Sequence, residues 1–430
     1  MTTIEDKKEI EKKPSLFPVF LTVFIDLIGL GIIIPVIAPL LLMPYSGILP
    51  VGMSMAEKSV ILGFLIASFP LAQFFGAPIL GALSDRYGRK KILTISLIGT
   101  LLGYIVFAIG ITQQNIYILF ASRMLDGFTG GNISIIQSSI SDLSDPKNRT
   151  KLFGLIGMAF GFGFILGPYI GGTFSDETFV KNLNELTHVN FSPFATPFWF
   201  AALLSFANII FVQLKFKETL LHKKNSPINA LTGFINIGKA IKMENLRTLF
   251  IISFLYTLGF NFFTQFFNVF LINKFHFGVK QIGDYFAYIG ICGALVQGFI
   301  VRKLAPKYSP SQLLKVSLLF ACIGIFLQIF PNDSLYLYWI VPIISIGSGL
   351  SFPNLNSLVS QQAGPQAQGQ VFGINQSIQS IAFAIPPIIS GYLTTFNVNL
   401  PILLSSIVIL CAWIFFTLKF KPNLPQTQFE

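Results

Sequence analysis

Three ionisable side chains stand in stretches of sequence that are otherwise almost wholly apolar. Arg123 and Asp126 lie in the segment SRMLDGFTGG, and Asp26 lies in the segment LFPVFLTVFIDLIGLGIIIPVIAPLLL. At the centre of a bilayer each would cost roughly 2.5–3.5 kcal/mol on insertion scales, so such residues usually have a function. Burial disfavours a charged carboxylate and a neighbouring guanidinium favours it, which makes proton transfer the chemistry that these residues could perform.

The spacing of these residues leaves two interpretations open. Arg123 and Asp126 are three positions apart on a predicted helix, which suits a static ion pair with a purely structural role. In the other interpretation Arg123 alternates between Asp126 and Asp26, and the change of partner loads or releases a proton. Asp26 is then the favoured proton carrier, and Asp126 is the second choice.

The composition places the surrounding elements in a membrane. Only 11% of the 430 residues are charged and 53% are hydrophobic, whereas about 25% of a soluble domain is charged. Several apolar runs exceed the roughly 20 residues that cross the hydrocarbon core as a helix. We therefore predict an all-α polytopic membrane protein with twelve transmembrane helices, at 16–43, 60–83, 92–111, 115–141, 152–174, 196–215, 247–272, 281–301, 312–330, 335–360, 368–395 and 400–418.

The basic residues indicate the orientation of these helices. Most of the 29 Lys and Arg residues fall in the termini and loops on one side, and the four exceptions in loops opposite are Lys58, Lys181, Lys274 and Lys280. The positive-inside rule then puts both termini in the cytoplasm. The abundance of Ile, Lys, Asn and Phe points to an AT-rich bacterial genome, so a bacterial inner (plasma) membrane is the expected location. Because the distribution of Lys and Arg among the loops accounts for the basic charge, no nucleic-acid partner is expected.

The residues that enzymes use most often do not form a catalytic pattern. Cys292, Cys322 and Cys411 lie inside predicted helices at no useful spacing and are interpreted as packing residues. The three histidines lie in loops or near the central linker, so no catalytic triad or metal site is predicted. We expect no enzyme activity, no metal and no cofactor, with a proton gradient as the source of energy.

The chain divides into two halves of six predicted helices. A Lys- and Asn-rich linker, 216–246, separates residues 16–215 from 247–418, with cytoplasmic tails at 1–15 and 419–430. A shift of 219 positions aligns Gly130 with Gly349 and Pro168 with Pro387, among other matches, which is typical of the parallel repeat in secondary transporters. Since the central ionisable residues all lie in the first half, we expect proton coupling there and substrate selectivity in the second half.

The segment GALSDRYGRKK, residues 81–91, resembles the loop between helices 2 and 3 of the major facilitator superfamily. Gly81 is expected to permit a close helix approach and Gly88 to form the turn, whereas Asp85 faces a helix N-terminus. The predicted cytoplasmic gate comprises Gly81, Asp85, Arg86, Gly88, Arg89, Lys90, Asp142 and Arg149. The alternative is a plain positive-inside hairpin, which would account for the lysines alone.

Further segments resemble the tetracycline/proton antiporters of that superfamily. These are 24–41, 141–172, 197–211 and 369–378. Gly163, Gly167, Pro168, Gly171 and Gly172 match the G-x3-G-P-x2-G-G pattern of its antiporters. Small residues four apart permit tight helix contact, and Pro168 bends the helix, although ordinary glycine packing is the alternative.

Neutral amides among aromatic residues form the predicted substrate site. On predicted helix 4, positions 123, 126, 130, 134, 137 and 141 share one polar face that is expected to point inward. The predicted substrate-binding residues are Gln137, Asn261, Gln265, Asn268, Asn354, Asn375 and Gln379. Such a set suits a partly apolar ligand oriented by a few hydrogen bonds. Alternatively, the phenylalanines contact lipid and the amides bridge helices.

The resemblance implies a major facilitator fold whose halves rock about a central site. The implied function is export of a small amphipathic or drug-like compound in exchange for protons, hence multidrug efflux and antibiotic resistance, by a monomer. Proton-coupled symport or facilitated passage of a metabolite, lipid-like molecule or siderophore is the alternative within transport. A transporter-like sensor or scaffold without flux is the alternative of another class. The expected partners are the substrate, protons and the lipid bilayer.

Overall fold

The chain folds into helices throughout the part that the structure describes. A computed structural model describes residues 17–143, 149–220, 229 and 231–420, apart from the side chains of 45, 141, 149–158, 160, 164, 245 and 364–369. The two predicted tails therefore lie almost wholly outside the described residues. Before the linker the helices are α1 (Phe17–Leu42), α2 (Met55–Tyr87), α3 (Arg89–Thr112), α4 (Ile116–Thr129), α5 (Asn132–Leu143), α6 (Arg149–Phe174), α7 (Glu177–Thr187) and α8 (Thr196–Lys215).

The helices continue beyond the linker without a strand among the described residues. They are α9 (Thr232–Lys242), α10 (Glu244–Phe275), α11 (Val279–Leu295), a π-helical segment (Val296–Val301), α12 (Arg302–Leu304), α13 (Pro310–Leu327), α14 (Ser334–Phe396) and α15 (Leu400–Lys419). Nine helices within the described ranges are long and apolar enough to cross a membrane. The all-α membrane class is thus confirmed, and the total of twelve spans stays a prediction.

Several helices begin where the local sequence provides a cap. The hydroxyl of Ser54 accepts a hydrogen bond from the Glu57 backbone, and the Glu57 carboxylate accepts one from the Ser54 backbone. Ser309 and Gln312 make the same reciprocal pair at the start of α13. These contacts satisfy backbone N–H groups that have no partner inside the helix, so they define where each helix starts.

The prediction of one continuous helix over 115–141 is wrong. The backbone leaves the helical conformation at Gly130 and Gly131, so the predicted polar face is divided between α4 and α5. Paired glycines weaken a helix because they carry no side chain and retain more backbone freedom. They also allow close packing here, since a methyl group at Gly131 would lie 2.5 Å from the Ala77 Cα of α2.

Two segments predicted as connections contain helices. The long loop at 175–195 contains α7, whose first turn is capped by Asp176. The linker at 216–246 contains α9. Their lengths of 11 residues each are below what a membrane span requires, so both are connecting helices.

Residues 361–367, predicted as a connection between two helices, are helical, and α14 extends from Ser334 to Phe396. A straight helix would place Asn356 and Asn375 about 28 Å apart, given a rise of about 1.5 Å per residue. Instead, the Asn375 side-chain amide donates to the Asn356 side-chain oxygen over 3.5 Å. The chain must therefore turn back between them. The two antiparallel segments of α14 correspond in their residue ranges to the two predicted helices, 335–360 and 368–395.

The halves contact each other toward one end of the molecule. We call the end where α1 begins and α2 finishes the terminal side, and the other end the far side. Near the far side, α2 packs on α14 where Gly63 meets the Pro387 backbone oxygen, and α6 packs on α11 where Gly172 meets Gly283. Asp176 and Lys280 form an ion pair of 3.4 Å across the halves at the same end.

Candidate functional site

A buried ion pair lies at the centre of the first half. Arg123 Nη1 is 2.9 Å from Asp126 Oδ2, and the two side chains are 8% and 3% exposed. The Arg123 guanidinium also lies over the Phe69 ring of α2, with 4.4 Å between the carbon and the ring centroid. The Arg123 Nε has no hydrogen-bond partner among the described residues. The predicted i, i+3 pair is thus present, and the Arg123 Nε–H group remains available to donate a further hydrogen bond.

Asp26 has a different partner in this structure. Its Oδ2 accepts a hydrogen bond of 3.0 Å from the side-chain amide of Asn132, which is fully buried. Asn132 is the first residue of α5, so the break after Thr129 brings its side chain toward α1. The three predicted proton-coupling residues therefore occupy one region, with Arg123 on Asp126 and Asp26 on Asn132.

Tyr104 is a member of this region that the sequence analysis missed. Its buried hydroxyl has no hydrogen-bond partner among the described residues, and it lies within electrostatic range of Asp26, Asp126 and Arg123. A methyl group at Gly29 would be 2.5 Å from this hydroxyl oxygen. A lone tyrosine within an apolar helix carries no signal of its own, since its role depends on packing against α1.

The predicted gate residues assemble at the terminal side. Arg89 is buried and lies 2.6 Å from Asp85 Oδ1 and 3.1 Å from Asp142 Oδ2. Gly88 has a φ of +105°, a conformation that favours glycine, and it separates α2 from α3. Asp85 and Arg89 therefore link the end of α2 to the end of α5 across this turn.

Gly81 differs from its predicted role, and Arg86 packs on an aromatic ring. A methyl group at Gly81 would lie 3.6 Å from Ser134 Oγ, an ordinary contact, so Gly81 is not needed for close approach. The Arg86 guanidinium lies over the ring of its neighbour Tyr87, 5.4 Å from the centroid. The side chain of Arg149 lies outside the described part of the chain, so its predicted contact stays a prediction.

Glu218 contacts the predicted gate residues, and the sequence analysis missed it. Its two carboxylate oxygens accept hydrogen bonds from the backbone N–H groups of Arg89, at 2.9 Å, and Lys90, at 3.1 Å. A carboxylate at the N-terminus of a helix satisfies unpaired donors and complements the helix dipole. Because Glu218 lies beyond α8, more than 100 positions away, no local pattern could reveal this contact.

The glycines of the G-x3-G-P-x2-G-G pattern hold α6 against two other helices. A methyl group at Gly167 would lie 2.6 Å from the Gly31 Cα, and one at Gly163 would lie 2.7 Å from the Leu27 Cβ. Gly171 likewise meets the Ile32 backbone oxygen, so α6 is held tightly against the part of α1 that follows Asp26. Gly172 instead faces Gly283 of the second half.

The predicted substrate amides mostly bond to the protein itself. Asn268 donates to the Ile34 backbone oxygen over 2.6 Å, and Asn261 and Asn354 donate to their own helices over 2.7 Å each. Gln265 donates to Asn261 and to the Phe383 backbone. Asn375 accepts from Ser253 over 2.8 Å, Gln137 is partly buried on α5, and Gln379 is buried on α14. These contacts fit the helix-bridging alternative, and substrate binding stays a prediction.

The phenylalanines of α10 form a core instead of a lipid-facing surface. Phe263, Phe267 and Phe270 are buried, and successive ring centroids are 4.6 Å and 5.2 Å apart. The Phe267 ring also lies 5.6 Å from that of Tyr285 on α11. This stack stabilises the second half, since aromatic pairs contribute beyond their buried area.

Comparison with known proteins places the chain in a family. The model of the Major Facilitator Superfamily matches residues 19–387. The tetracycline resistance protein of class H from Pasteurella multocida is 29% identical over 89% of this chain and 90% of its own length. The quinolone resistance protein NorA from Staphylococcus aureus is 28% identical over 90% of this chain and 92% of its own length.

A solved structure shares the fold. The human organic anion transporter MFSD10 is 24% identical, with a TM-score of 0.72 over 93% of this chain and 98% of its own. The family match covers most of the chain, and the buried charges, gate and glycine contacts lie within the matched residues. The chain therefore belongs to the Major Facilitator Superfamily.

Proposed function

We propose that this protein exports a small amphipathic or drug-like compound in exchange for protons, by alternating access. One observation carries the proposal. Asp26, Arg123 and Asp126 lie together within the membrane-spanning part of the first half, held by Asn132 and by each other. A transporter that only passes a neutral solute has no need to bury such charges, which are costly in hydrocarbon.

Asp26 is the proposed proton carrier. In the present arrangement Arg123 neutralises Asp126, and Asp26 is bound to a neutral amide. When the halves rock, Arg123 moves from Asp126 toward protonated Asp26, and the Asp26 carboxyl releases its proton because the guanidinium stabilises the carboxylate form. At 100 mV each proton that enters contributes roughly 2.3 kcal/mol to export.

The closed far side supports an inward-facing state. With both termini in the cytoplasm, as the basic loops predict, the contacts of Gly63 and Gly172 and the Asp176–Lys280 pair seal the outer end. The proposed location is a bacterial inner membrane, with both termini inside and a monomer as the functional unit. The direction of transport follows the relatives, whose names describe tetracycline and quinolone resistance.

Transport in vesicles tests the proposal. Purified protein is reconstituted into proteoliposomes with an imposed pH gradient, and tetracycline and a fluoroquinolone serve as probes. We expect substrate and protons to move in opposite directions. Asp26→Asn should abolish accumulation driven by the gradient and retain substrate counterflow, because exchange of substrate for substrate needs no net proton movement.

Two results would overturn the proposal. Accumulation by Asp26→Asn against a gradient with unchanged pH dependence would remove Asp26 as carrier. Movement of protons in the same direction as substrate would indicate symport instead. Glu185→Gln is the matched control, since this exposed acid on α7 lies outside the charged region.

A further inference from the structure

The linker helix α9 contacts both halves of the protein. The Phe234 ring packs edge-on against Phe74 of α2, with 4.9 Å between centroids, and lies 6.1 Å from Phe75. A methyl group at Gly233 would be 2.5 Å from the Phe74 ring. On its other flank, the Asn236 amide donates to Ser377 Oγ of α14 over 3.1 Å. One short helix thus joins α2 of the first half to α14 of the second.

These contacts lie away from the place where α2 and α14 touch directly. The close glycine contacts of that interface, Gly63 on Pro387 and Gly391 on Val60, lie near the far side. Phe74 lies about 16 Å further along α2, and Ser377 lies about 15 Å back along α14, at about 1.5 Å per residue. Both are therefore displaced toward the terminal side, where α9 contacts the two helices.

The outer face of α9 is apolar and exposed. Leu231, Phe234, Ile235 and Ile241 are 44–62% exposed and fall within one sector of the helix. The residues at this level of α2 that are also exposed, Leu71 and Phe75, belong to a membrane-spanning helix. The apolar face of α9 is therefore continuous with the lipid-facing surface. Lys239 and Lys242 occupy its last turn, where they suit anionic lipid headgroups.

We propose that α9 is an in-plane helix, embedded in the cytoplasmic leaflet, that bridges α2 and α14. Its inner face binds Phe74 and Ser377, and its outer face binds acyl chains and anionic headgroups. The consequence for transport rests on the proposed alternating access. Closure of the terminal side requires α2 and α14 to approach each other, so α9 must release one of them in each cycle.

Lipid contact is tested with spin labels in a background in which Cys292, Cys322 and Cys411 are replaced by alanine. Ile235→Cys and Ile241→Cys are labelled in vesicles of phosphatidylethanolamine and phosphatidylglycerol. Collisions with oxygen should exceed those with a water-soluble nickel chelate, as for the control Leu203→Cys on the exposed face of α8. Collision rates with oxygen and with the nickel chelate like those of Glu185→Cys, at an exposed position on α7, would overturn the proposal.

The bridge is tested with a short, reducible cross-linker between Asn236→Cys and Ser377→Cys. We expect efficient cross-linking, a loss of transport of at least tenfold, and recovery after reduction. Failure to cross-link, or transport at the uncross-linked rate, would overturn the bridge. If the uncross-linked protein moves no substrate, the proposed function fails instead, and the spin-label result still decides the lipid contact.

Discussion

Asn132 donates a hydrogen bond of 3.0 Å to the carboxylate of Asp26, joining α5 to α1 directly after the break between α4 and α5. The break allows this contact. In a continuous helix the side chain of Asn132 would point in a different direction relative to those of Arg123 and Asp126. Arg123 and Asp126 stay on the other side of the break and pair with each other. The irregular backbone thus separates the two acids while keeping them in one region.

The Arg123–Asp126 pair should behave as a unit in a double-mutant cycle. Arg123→Gln or Asp126→Asn alone leaves a buried charge without its partner, which typically costs about 3–5 kcal/mol. The double variant should lose much less than the sum of the single losses. Unfolding in mixed micelles measures each value, and additive losses would show that the two side chains do not stabilise each other.

Gly167→Ala should destabilise the contact between α6 and α1. The added methyl group would lie 2.6 Å from the Gly31 Cα, and such overpacking costs about 1–3 kcal/mol. Gly161→Ala, on the same helix, is the control, since its nearest neighbour would be 3.9 Å away. The melting temperature in detergent should fall for Gly167→Ala alone. Equal melting temperatures for both variants would contradict the close contact.

Glu218→Ala should weaken the gate by removing the cap of α3. Loss of a capping side chain costs about 0.5–2 kcal/mol, and Glu218→Gln should lose less because it keeps one acceptor oxygen. Glu244→Ala serves as the control, because this acid lies in the first turn of α10 and is exposed. Thermal unfolding of the purified protein measures the difference. A loss no larger than that of the control would exclude the capping role.

Asp176 should contribute stability that depends on pH. The backbone N–H of Phe179 and the nearby Lys280 lower the pKa of Asp176 from its ordinary value of 3.8. Since the folded pKa lies below the unfolded one, the stabilisation is present above about pH 4 and is lost as the pH falls through the folded pKa. Asp176→Asn keeps the cap and loses only the charge, so it should be less stable than the native protein at pH 7 by about 0.3–1 kcal/mol.

At pH 3 that difference in stability should become smaller. Unfolding midpoints of the native protein and the variant at the two pH values provide the measurement. Glu185→Gln, an exposed acid on the same helix, should show no comparable change. A gap between native protein and Asp176→Asn that is as wide at pH 3 as at pH 7 would contradict the lowered pKa.

Local patterns in the sequence were sufficient for the fold class and for much of the site. Apolar runs predict helices because each backbone group in lipid needs a partner inside its own segment. The i, i+3 spacing predicts the Arg123–Asp126 pair, and the glycine before Arg89 predicts the turn between α2 and α3. Each of these features depends on residues a few positions apart, and the structure has each of them.

The tertiary structure alone decided the partners that lie far apart in the chain. Asp26 binds Asn132, Glu218 caps α3, and α9 connects α2 to α14. The break at Gly130 and Gly131 also depends on the close approach of α2. The physical reason is the same in each case: these contacts form only when separate helices pack, and which faces pack is set by the shapes of both helices together. A single sequence shows the chemical type of each side chain, and the packing of the helices determines which side chains come into contact.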